Sequence, residues 1–326
     1  MPRRQVRIPK LEKHGMACCR GFYISYRSLF QARHHGCPGG ALIWGEKGAK
    51  MSRKLFCEIS PLTYRISEQK EIWKRKLTDR LRGEKLATRK SRKLLPVRLY
   101  SHNSLIRRRL GNVDMQLQEN KAVNLKLAAK NLNGLLIYPG EVFSFWHLVG
   151  KTTAQKGYLE GLVIKKNQPN KETGGGLCQL TNGIHWLVLH TPLLITEHHH
   201  HDQYDLFPDF GRTIPFGTGT SISYNYIDYR FKNTSDQLLQ LIVYTTAEHL
   251  CLELRGQRKW EYTYHIFAED EFFQREGRDV YRHGRVCRSQ IDPLTGKLLQ
   301  KEIIKINHAK VMYDPAGLEI RAEEKV

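Results

Sequence analysis

Apolar residues recur at helical spacing in two parts of this chain. The first part runs from Asn120 to Leu132, and Gly134 follows it at a position typical of a helix C-cap. The second begins at Cys178 and ends before Pro192. Its apolar stripe consists of Leu180, Ile184, Leu187 and Val188. The pattern predicts two helices that pack against a core, and the second should point its other face, with His185, away from the stripe.

Strand patterns occupy much of the rest of the chain. Residues 135–138 and 142–145 flank Pro139-Gly140, which predicts two short strands joined by a tight turn. Alternation typical of β-structure begins at Thr213, and residues 292–296 predict the turn of a further hairpin. We therefore predict an α+β fold with a largely antiparallel β-sheet and a few packed helices, one of which starts at the Gly-Gly-Gly-Leu-Cys-Gln motif.

Positive charge is confined to the N-terminal third of the chain. Residues 1–50 carry 10 Lys and Arg against 2 acidic residues, and residues 51–110 carry 18 against 5, which together account for the net charge of +21. The second of these segments contains a helix-compatible basic stretch. We expect it either to lie on an anionic membrane surface or to pack as a solvated helix on the main domain. Nucleic acid is not an expected partner, because no binding motif accompanies the charge.

These patterns divide the chain into four segments. Residues 1–50 show no sustained periodicity, and a ribosome-binding sequence is encodable just before Met51, so we expect this segment to be untranslated or disordered. Residues 51–110 form the basic segment. Residues 111–245 form the central domain, and residues 246–326 form a β-rich C-terminal extension packed on it.

Cysteine usage and hydropathy indicate the compartment. The four cysteines after Met51 have no paired spacing, which argues against a zinc ribbon or a disulfide framework and favours a reducing compartment. No stretch approaches the roughly twenty apolar residues of a membrane span, and no signal-peptide pattern is present. We therefore expect a cytoplasmic protein, peripheral at the inner membrane face if the basic segment binds lipid.

A glycine run directly before Cys178 marks the candidate site. Gly174, Gly175 and Gly176 let the backbone turn sharply and approach a ligand closely, and the following helix offers amide groups and the positive end of its dipole to the thiol. Such a position stabilises a thiolate, which is a nucleophile. We expect the three glycines, together with Asn182, to bind substrate.

The bases that such a cysteine needs follow in the run from Glu197 to Asp202. If this run is extended, alternation places His199 and His201 on the same side as Glu197. The intervening histidines then face the opposite way, so one pair alone can face the cysteine.

Four motifs give the chain a resemblance to a known family. In order, they are Tyr138 to Phe145, Gly174 to Gln179, Glu197 with its histidines, and Tyr226 to Asn233. On these motifs, which cover residues 111–245, the chain resembles the VanW family. The resemblance implies a link to peptidoglycan metabolism and glycopeptide (vancomycin) resistance. Through exported members of the family, it also implies L,D-transpeptidase-like acyl transfer on cell-wall stem peptides by the family cysteine, here Cys178.

The resemblance also implies roles for individual residues. The family pattern of a glutamate followed by histidines two and four positions later points to His199 or His201 as general base and acid, and Glu197 or a nearby aspartate would orient it. Backbone amides near Cys178, together with the Gln179 side chain, would form the oxyanion hole. Sulfur would attack a substrate carbonyl to give a thioester, which an amine or water resolves. This chemistry uses neither a cofactor nor a metal.

Three other interpretations stay open at the level of sequence. Cys178 is a packing residue and the histidines are a polar strand end; or Cys178, His199 and His201 together bind zinc; or the chain is a non-catalytic accessory protein that holds a cell-wall precursor at the inner membrane surface. A Cys178→Ser protein separates these interpretations, because an enzyme loses turnover whereas a binding protein keeps its ligand.

Overall fold

The computed structural model describes residue 56 and residues 59–108, 114–165, 168–200, 203–209, 214–224 and 227–322. These residues belong to two compact units that divide between Lys74 and Arg75. The expected N-terminal extension of residues 1–50 lies outside the described residues, and so does His201.

Four α-helices occur within the described residues. They are α1 (Pro61–Leu81), α2 (Met115–Leu132), α3 (Phe145–Val149) and α4 (Cys178–Leu189). Helix α1 begins with a proline, whose missing N–H is harmless there, and Ser60 Oγ accepts a hydrogen bond from Thr63 N at 3.2 Å as its N-cap. The helical part of the basic segment ends at Leu81, and residues 97–105 of the same segment form a strand instead.

Fourteen strands occur within the same residues. They are β1 (Val97–Leu105), β2 (Leu135–Ile137), β3 (Val142–Ser144), β4 (Glu160–Lys165), β5 (Gln168–Thr173), β6 (Leu194–Glu197), β7 (Tyr204–Asp205), β8 (Arg230–Lys232), β9 (Leu239–Thr245), β10 (His249–Gly256), β11 (Thr263–Glu276), β12 (Asp279–Ile291), β13 (Leu298–Val311) and β14 (Ile320–Arg321). They form sheets in the orders β1-β10-β9-β2, β3-β8-β6, β14-β11-β12-β13-β7 and β4-β5. Nearly all of these pairs are antiparallel, which confirms the predicted α+β class.

The two strands around Pro139-Gly140 form as predicted, but they do not pair with each other. Strand β2 pairs with β9, and β3 pairs with β8, so the expected hairpin is wrong. The turn instead carries the chain from one sheet to another, and Gly140 N donates to Asn233 O at 2.8 Å. Each strand thereby buries its apolar side chains against a partner distant in sequence.

The hairpin predicted at residues 292–296 is confirmed. Strands β12 and β13 are antiparallel neighbours, and Asp292 Oδ1 accepts a hydrogen bond from Leu294 N at 2.8 Å within the turn. An aspartate at the start of a turn is well suited to this bond, since its short side chain reaches the backbone two residues on.

Helix α4 begins at Cys178, as the glycine motif predicts. Gly183 lies so close to β10 that a Cβ there would stand 2.7 Å from a methyl carbon of Leu252. The other end of α4 contributes to a second hydrophobic cluster with the five-stranded sheet, formed by Trp186, Leu189, Ile266 and Val286. Because α4 is held between two sheets, the position of Cys178 is set by the core and not by a mobile loop.

Candidate functional site

The glycine run before α4 is required by close packing. Gly174 and Gly176 have φ of +82° and +89°, a conformation that disfavours other residues. A Cβ on Gly175 would stand 2.1 Å from the carbonyl oxygen of Gly161 in β4. A Cβ on Gly176 would stand 2.4 Å from Cγ of Lys121 in α2. The run therefore lets the chain pass between β4 and α2 and enter α4 at Cys178.

The Cys178 thiol is partly buried at the start of α4. Burial raises its pKa above the ordinary value, while backbone hydrogen bonds at Ile222 and at Cys178 itself act in the opposite direction without overcoming that effect. The sequence led us to expect a thiolate stabilised by the helix terminus, and the resting structure corrects this expectation. A helix dipole contributes at most about 2 kcal/mol, and the desolvation of the thiol outweighs it here.

This environment predicts slow alkylation of Cys178 by iodoacetamide near neutral pH. The thiolate fraction is small below the raised pKa, so the rate should rise only at or above the free-cysteine value of about 8.5. Mass spectrometry of the modified peptide, with Cys178→Ala protein as the control for labelling elsewhere, measures this rate against pH. A midpoint well below that value would show that the resting thiol is activated after all.

The segment around Thr220 covers the face of α4 that follows Cys178. Asn182 Oδ1 accepts hydrogen bonds from Thr220 N at 2.7 Å and from Thr220 Oγ1 at 2.8 Å, and Thr181 bonds the same hydroxyl. Ser221 N donates to His199 O at 2.7 Å. Asn182, predicted to bind substrate, thus holds the segment that covers the cysteine's helix.

The histidine run divides into two sides. His198 stacks on His185 of α4 at 4.3 Å between ring centroids, and its Nε2 lies 2.8 Å from Gly219 O. His200 is on the same side, since a Cβ on Gly219 would stand 2.6 Å from its Nε2. His185, predicted to point away from the core, is itself buried. Burial is the main reason that its pKa lies well below the ordinary value, and the charges of His198 and His200 lower it further. The two even-numbered histidines therefore face α4.

Glu197 and His199 lie together, as alternation predicts, but on the other side of the run. His199 Nε2 is 3.1 Å from Glu197 Oε1. The same carboxylate accepts hydrogen bonds from Arg75 and from Asp228 N at 2.9 Å. Burial raises the pKa of Glu197, but hydrogen bonds from His199 and Arg75 outweigh it and bring the pKa to about 2. Glu197 is therefore ionised and fixed at neutral pH.

A pH-dependent stability follows from this carboxylate. Because the folded-state pKa lies below the unfolded one, ionised Glu197 stabilises the fold above about pH 4.5 and loses that effect as the pH falls toward 2. The difference in unfolding free energy between wild type and Glu197→Gln should shrink by about 2 kcal/mol from about pH 6 to about pH 3. Denaturant titrations of both proteins at the two pH values measure it, and a constant difference would contradict the assigned ionisation.

The sequence motifs behind the family resemblance meet in one buried polar network. Asp228 accepts hydrogen bonds from Ser144 Oγ at 2.6 Å, from Trp146 N at 3.0 Å and from Arg230 Nε at 2.8 Å. Asp228 N in turn donates to Glu197. Three of the four motifs are thus joined by hydrogen bonds. The fourth is connected through α4, because His185 Nδ1 lies 3.1 Å from the hydroxyl of Tyr229.

Gln179 is engaged away from the expected oxyanion position. Its Nε2 donates to Ser104 Oγ at 2.6 Å and to Leu105 O at 2.9 Å, both in β1. These two bonds use both amide hydrogens. An oxyanion formed at Cys178 would therefore rely on the backbone amides at the start of α4.

Lys121 is a residue that the sequence interpretation missed. It is only 7% exposed, and its stem lies against Gly176. Its pKa is lowered to about 7, mainly by burial and further by the charges of Arg108 and Arg107. Within the described residues no acidic side chain pairs with its ammonium group. The available signal was its position four residues before Leu125, which places a lysine on the core-facing side of α2.

A second uncompensated group lies one turn before Lys121. Gln118 is 1% exposed, and its Nε2 has no hydrogen-bond partner among the described residues. A buried donor without a partner costs stability, as does a buried cation. The side of α2 that borders the glycine run is therefore rich in donors and suits an anionic group.

One group of side chains in the described part of the chain has the arrangement of metal ligands. It consists of Glu276, His283 and His308, whose ligand atoms lie within 4.8 Å of one another. These residues lie on β11, β12 and β13. Cys178 and His199 are not part of it, so the zinc site considered from sequence has no support in the described residues, while His201 lies outside them.

Comparison with known proteins identifies the chain's family. Residues 120–255 match the family described as VanW like protein. The vancomycin B-type resistance protein VanW of Enterococcus faecalis is 34% identical over 224 residues, which are 68% of this chain and 78% of that protein. The uncharacterized protein YoaR of Bacillus subtilis is 29% identical over 122 residues, 36% of this chain and 37% of that protein. No solved structure matches the chain. The chain belongs to the VanW family.

The helices also bear on membrane attachment. None of the helices in the described residues is both long and apolar enough to cross a lipid bilayer.

Proposed function

We propose that the chain acts in glycopeptide resistance by handling a cell-wall peptide at Cys178. The relationship to a vancomycin B-type resistance protein supports the first part of this proposal. The second part is supported by the glycine run, which delivers Cys178 to the start of a core-anchored helix beside the histidine-bearing segment. The partner of this site is a peptidoglycan precursor or stem peptide.

Acyl transfer is the reaction that this arrangement fits best. Sγ of Cys178 bonds to a carbonyl carbon of the donor peptide while an imidazole takes the thiol proton. The amine of the cleaved amide leaves with that proton, and a thioester remains on Cys178. An acceptor amine then attacks the thioester, forms the new amide and returns a proton to sulfur through the imidazole. Because the resting thiol is neutral, the imidazole base is indispensable to the first step.

The side of the histidine run that faces α4 favours His198 and His200 as sources of that base. His199 is fixed to Glu197, whose carboxylate also binds Arg75 and the backbone of Asp228. We therefore propose Glu197 and His199 as the support of the run, and His198 or His200 as the base. The assignment from the family pattern, with His199 or His201 as base, is the competing proposal. Single alanine variants separate the two, since loss of the base lowers kcat and removes one limb of its pH profile.

Transpeptidation of a synthetic stem peptide tests the reaction. Purified protein is incubated with a tetrapeptide donor and an amino-acid acceptor, and products are followed by mass spectrometry. A new amide that depends on Cys178 supports acyl transfer. Binding of the donor without any product, in wild type and Cys178→Ser alike, would support a non-catalytic accessory protein instead.

The raised thiol pKa and the buried amine of Lys121, which has no acidic partner among the described residues and which a bound carboxylate would keep protonated, favour that second function, the binding of an anionic precursor without turnover. Stem peptides carry carboxylates, and the ammonium of Lys121 beside Gly176 would complement one of them. Binding without chemistry would leave Cys178 as a packing residue at the start of α4.

Lys121→Met is expected to weaken binding of a carboxylate-bearing stem peptide while leaving the unliganded fold as stable or more stable. The methionine keeps the stem against Gly176 and removes a charge that burial penalises. Loss of one charge-assisted hydrogen bond of about 1.5–3 kcal/mol weakens binding roughly tenfold to a hundredfold. Calorimetric titration and thermal unfolding measure both effects. Lys130→Met, at an exposed position of the same helix, is the control and should change neither.

A further inference from the structure

We propose that Glu276, His283 and His308 form a zinc-binding site on the outer face of the five-stranded sheet. The site lies on β11, β12 and β13, separate in sequence from Cys178 and from the histidine run. Its three ligands are two imidazoles and one carboxylate, a set that zinc takes in proteins when a fourth position stays open.

The strand register brings the three side chains together. His283 and His308 are directly opposite each other in the antiparallel pair β12–β13, so their side chains share one face. Glu276 ends β11 and its carboxylate reaches both rings. His283 Nε2 lies 2.7 Å from Glu276 Oε1, and His308 Nε2 lies 3.0 Å from both carboxylate oxygens. Ligands of tetrahedral zinc lie about 3.4 Å apart, so a small outward movement makes room for the ion.

Aromatic neighbours fix the orientation of both imidazoles. The ring of Phe272 stacks on His283 at 4.8 Å with an interplanar angle of 3°. Tyr281 stacks on His308 at 4.6 Å and 7°. Both Nε2 atoms therefore point at the same carboxylate without reorganisation of the sheet, and little conformational freedom is lost when a metal binds.

The site is open on one side. The side chains of β12 alternate between buried and half-buried positions, and His283 belongs to the half-buried set. The side chains of the three ligands are 34%, 23% and 54% exposed for Glu276, His283 and His308. Solvent therefore reaches the fourth coordination position.

Zinc binding requires a change of tautomer in each of the two imidazole rings. In the metal-free structure each Nε2 donates its hydrogen to the carboxylate, whose lone pairs accept both. For coordination, each neutral imidazole carries its proton on Nδ1 and offers the Nε2 lone pair to the ion. The carboxylate stays ionised and supplies the third bond.

Histidines elsewhere in a chain can also capture zinc, so the experiment compares matched variants. Untagged protein is treated with a chelator, and zinc is titrated against a chromophoric competitor. Three variants accompany wild type: His283→Ala, His308→Ala and Glu276→Gln. His265→Ala is the control, since His265 is an exposed histidine of the same sheet that stacks on Phe267 at 5.4 Å.

We expect wild type to bind zinc at a site that weakens by at least about 100-fold in His283→Ala or His308→Ala, because even partners of the ligands contribute 10–100-fold to affinity. Glu276→Gln should weaken it as well, and His265→Ala should not. Thermal unfolding without zinc checks that each variant is folded. Because the His308 side chain is exposed, we expect His308→Ala to fold as wild type does. No zinc binding by wild type, or zinc affinity and stoichiometry unchanged in both histidine variants, would overturn the proposal.

Discussion

Arg230→Met is expected to lower the free energy of unfolding by about 3–5 kcal/mol, because it leaves buried carboxylates without their cation. Arg230 Nε is 2.8 Å from Asp228 Oδ2, and its two terminal nitrogens are each 2.8 Å from an oxygen of Asp79. The Arg230 side chain is 8% exposed and Asp228 is fully buried. Methionine fills much of the volume but offers no charge or donor. Equilibrium unfolding in urea measures the loss.

Arg258→Met is the matched control for that variant. Arg258 also forms an ion pair, with Asp236, but the two side chains are 59% and 79% exposed. Solvent screens such a pair, and its removal should cost less than about 1 kcal/mol. Equal losses in the two variants would show that the network around Asp228 does not carry the stability assigned to it.

Cys178→Ser is expected to lower the rate of acyl transfer at least about 1,000-fold while leaving the fold intact. Loss of a nucleophile removes all chemistry that passes through a covalent intermediate, and what remains comes from binding and backbone donors. The hydroxyl is close in size to the thiol, so packing at the start of α4 is preserved. Product formation from the stem-peptide donor measures the rate. Cys251→Ser is the control; Cys251 lies on β10, and this variant should retain the wild-type rate. Turnover that persists in Cys178→Ser would exclude Cys178 as nucleophile.

Local sequence signals predicted the elements that depend on local physics. The start of α4 follows from glycines whose positive φ no other residue adopts readily, and the β12–β13 hairpin follows from an aspartate and a glycine in its turn. The pairing of β2 and β3 was predicted wrongly for the complementary reason. Strand partners are chosen by burial against distant segments, here β9 and β8, and the tight turn at Gly140 specifies no partner.

The motifs of the family resemblance predicted an important region but not what each residue does there. Ser144, Asp228 and Arg230 are joined through hydrogen bonds that the sequence could not reveal, and Arg230 binds Asp79, far away along the chain. These hydrogen bonds stabilise the fold, and that structural role accounts for the presence of the three residues in the motifs without any catalytic role. Glu197 combines both aspects, since it contacts a histidine and also anchors the network.

The pKa values of Cys178 and Lys121 depend on burial, which the periodicity of the sequence does not reveal. The helix start at Cys178 was visible in the sequence, but the burial that raises the thiol pKa, against the opposing backbone hydrogen bond at Ile222, depends on the three-dimensional packing. Lys121 illustrates the same limit. Its place on the core side of α2 was readable, whereas its contact with Gly176 and its lowered pKa required the three-dimensional packing.

The most direct test of acyl transfer is the intact mass of the protein after mixing with a stem-peptide donor in the absence of acceptor. We expect a species heavier than the free protein by the acyl part of the donor, with the modification on Cys178 after digestion. This species should disappear on addition of an acceptor amine or of hydroxylamine, and it should not form in Cys178→Ser. Unmodified wild-type protein under conditions where the donor is shown to bind would contradict acyl transfer and leave binding of the precursor as the function of the site.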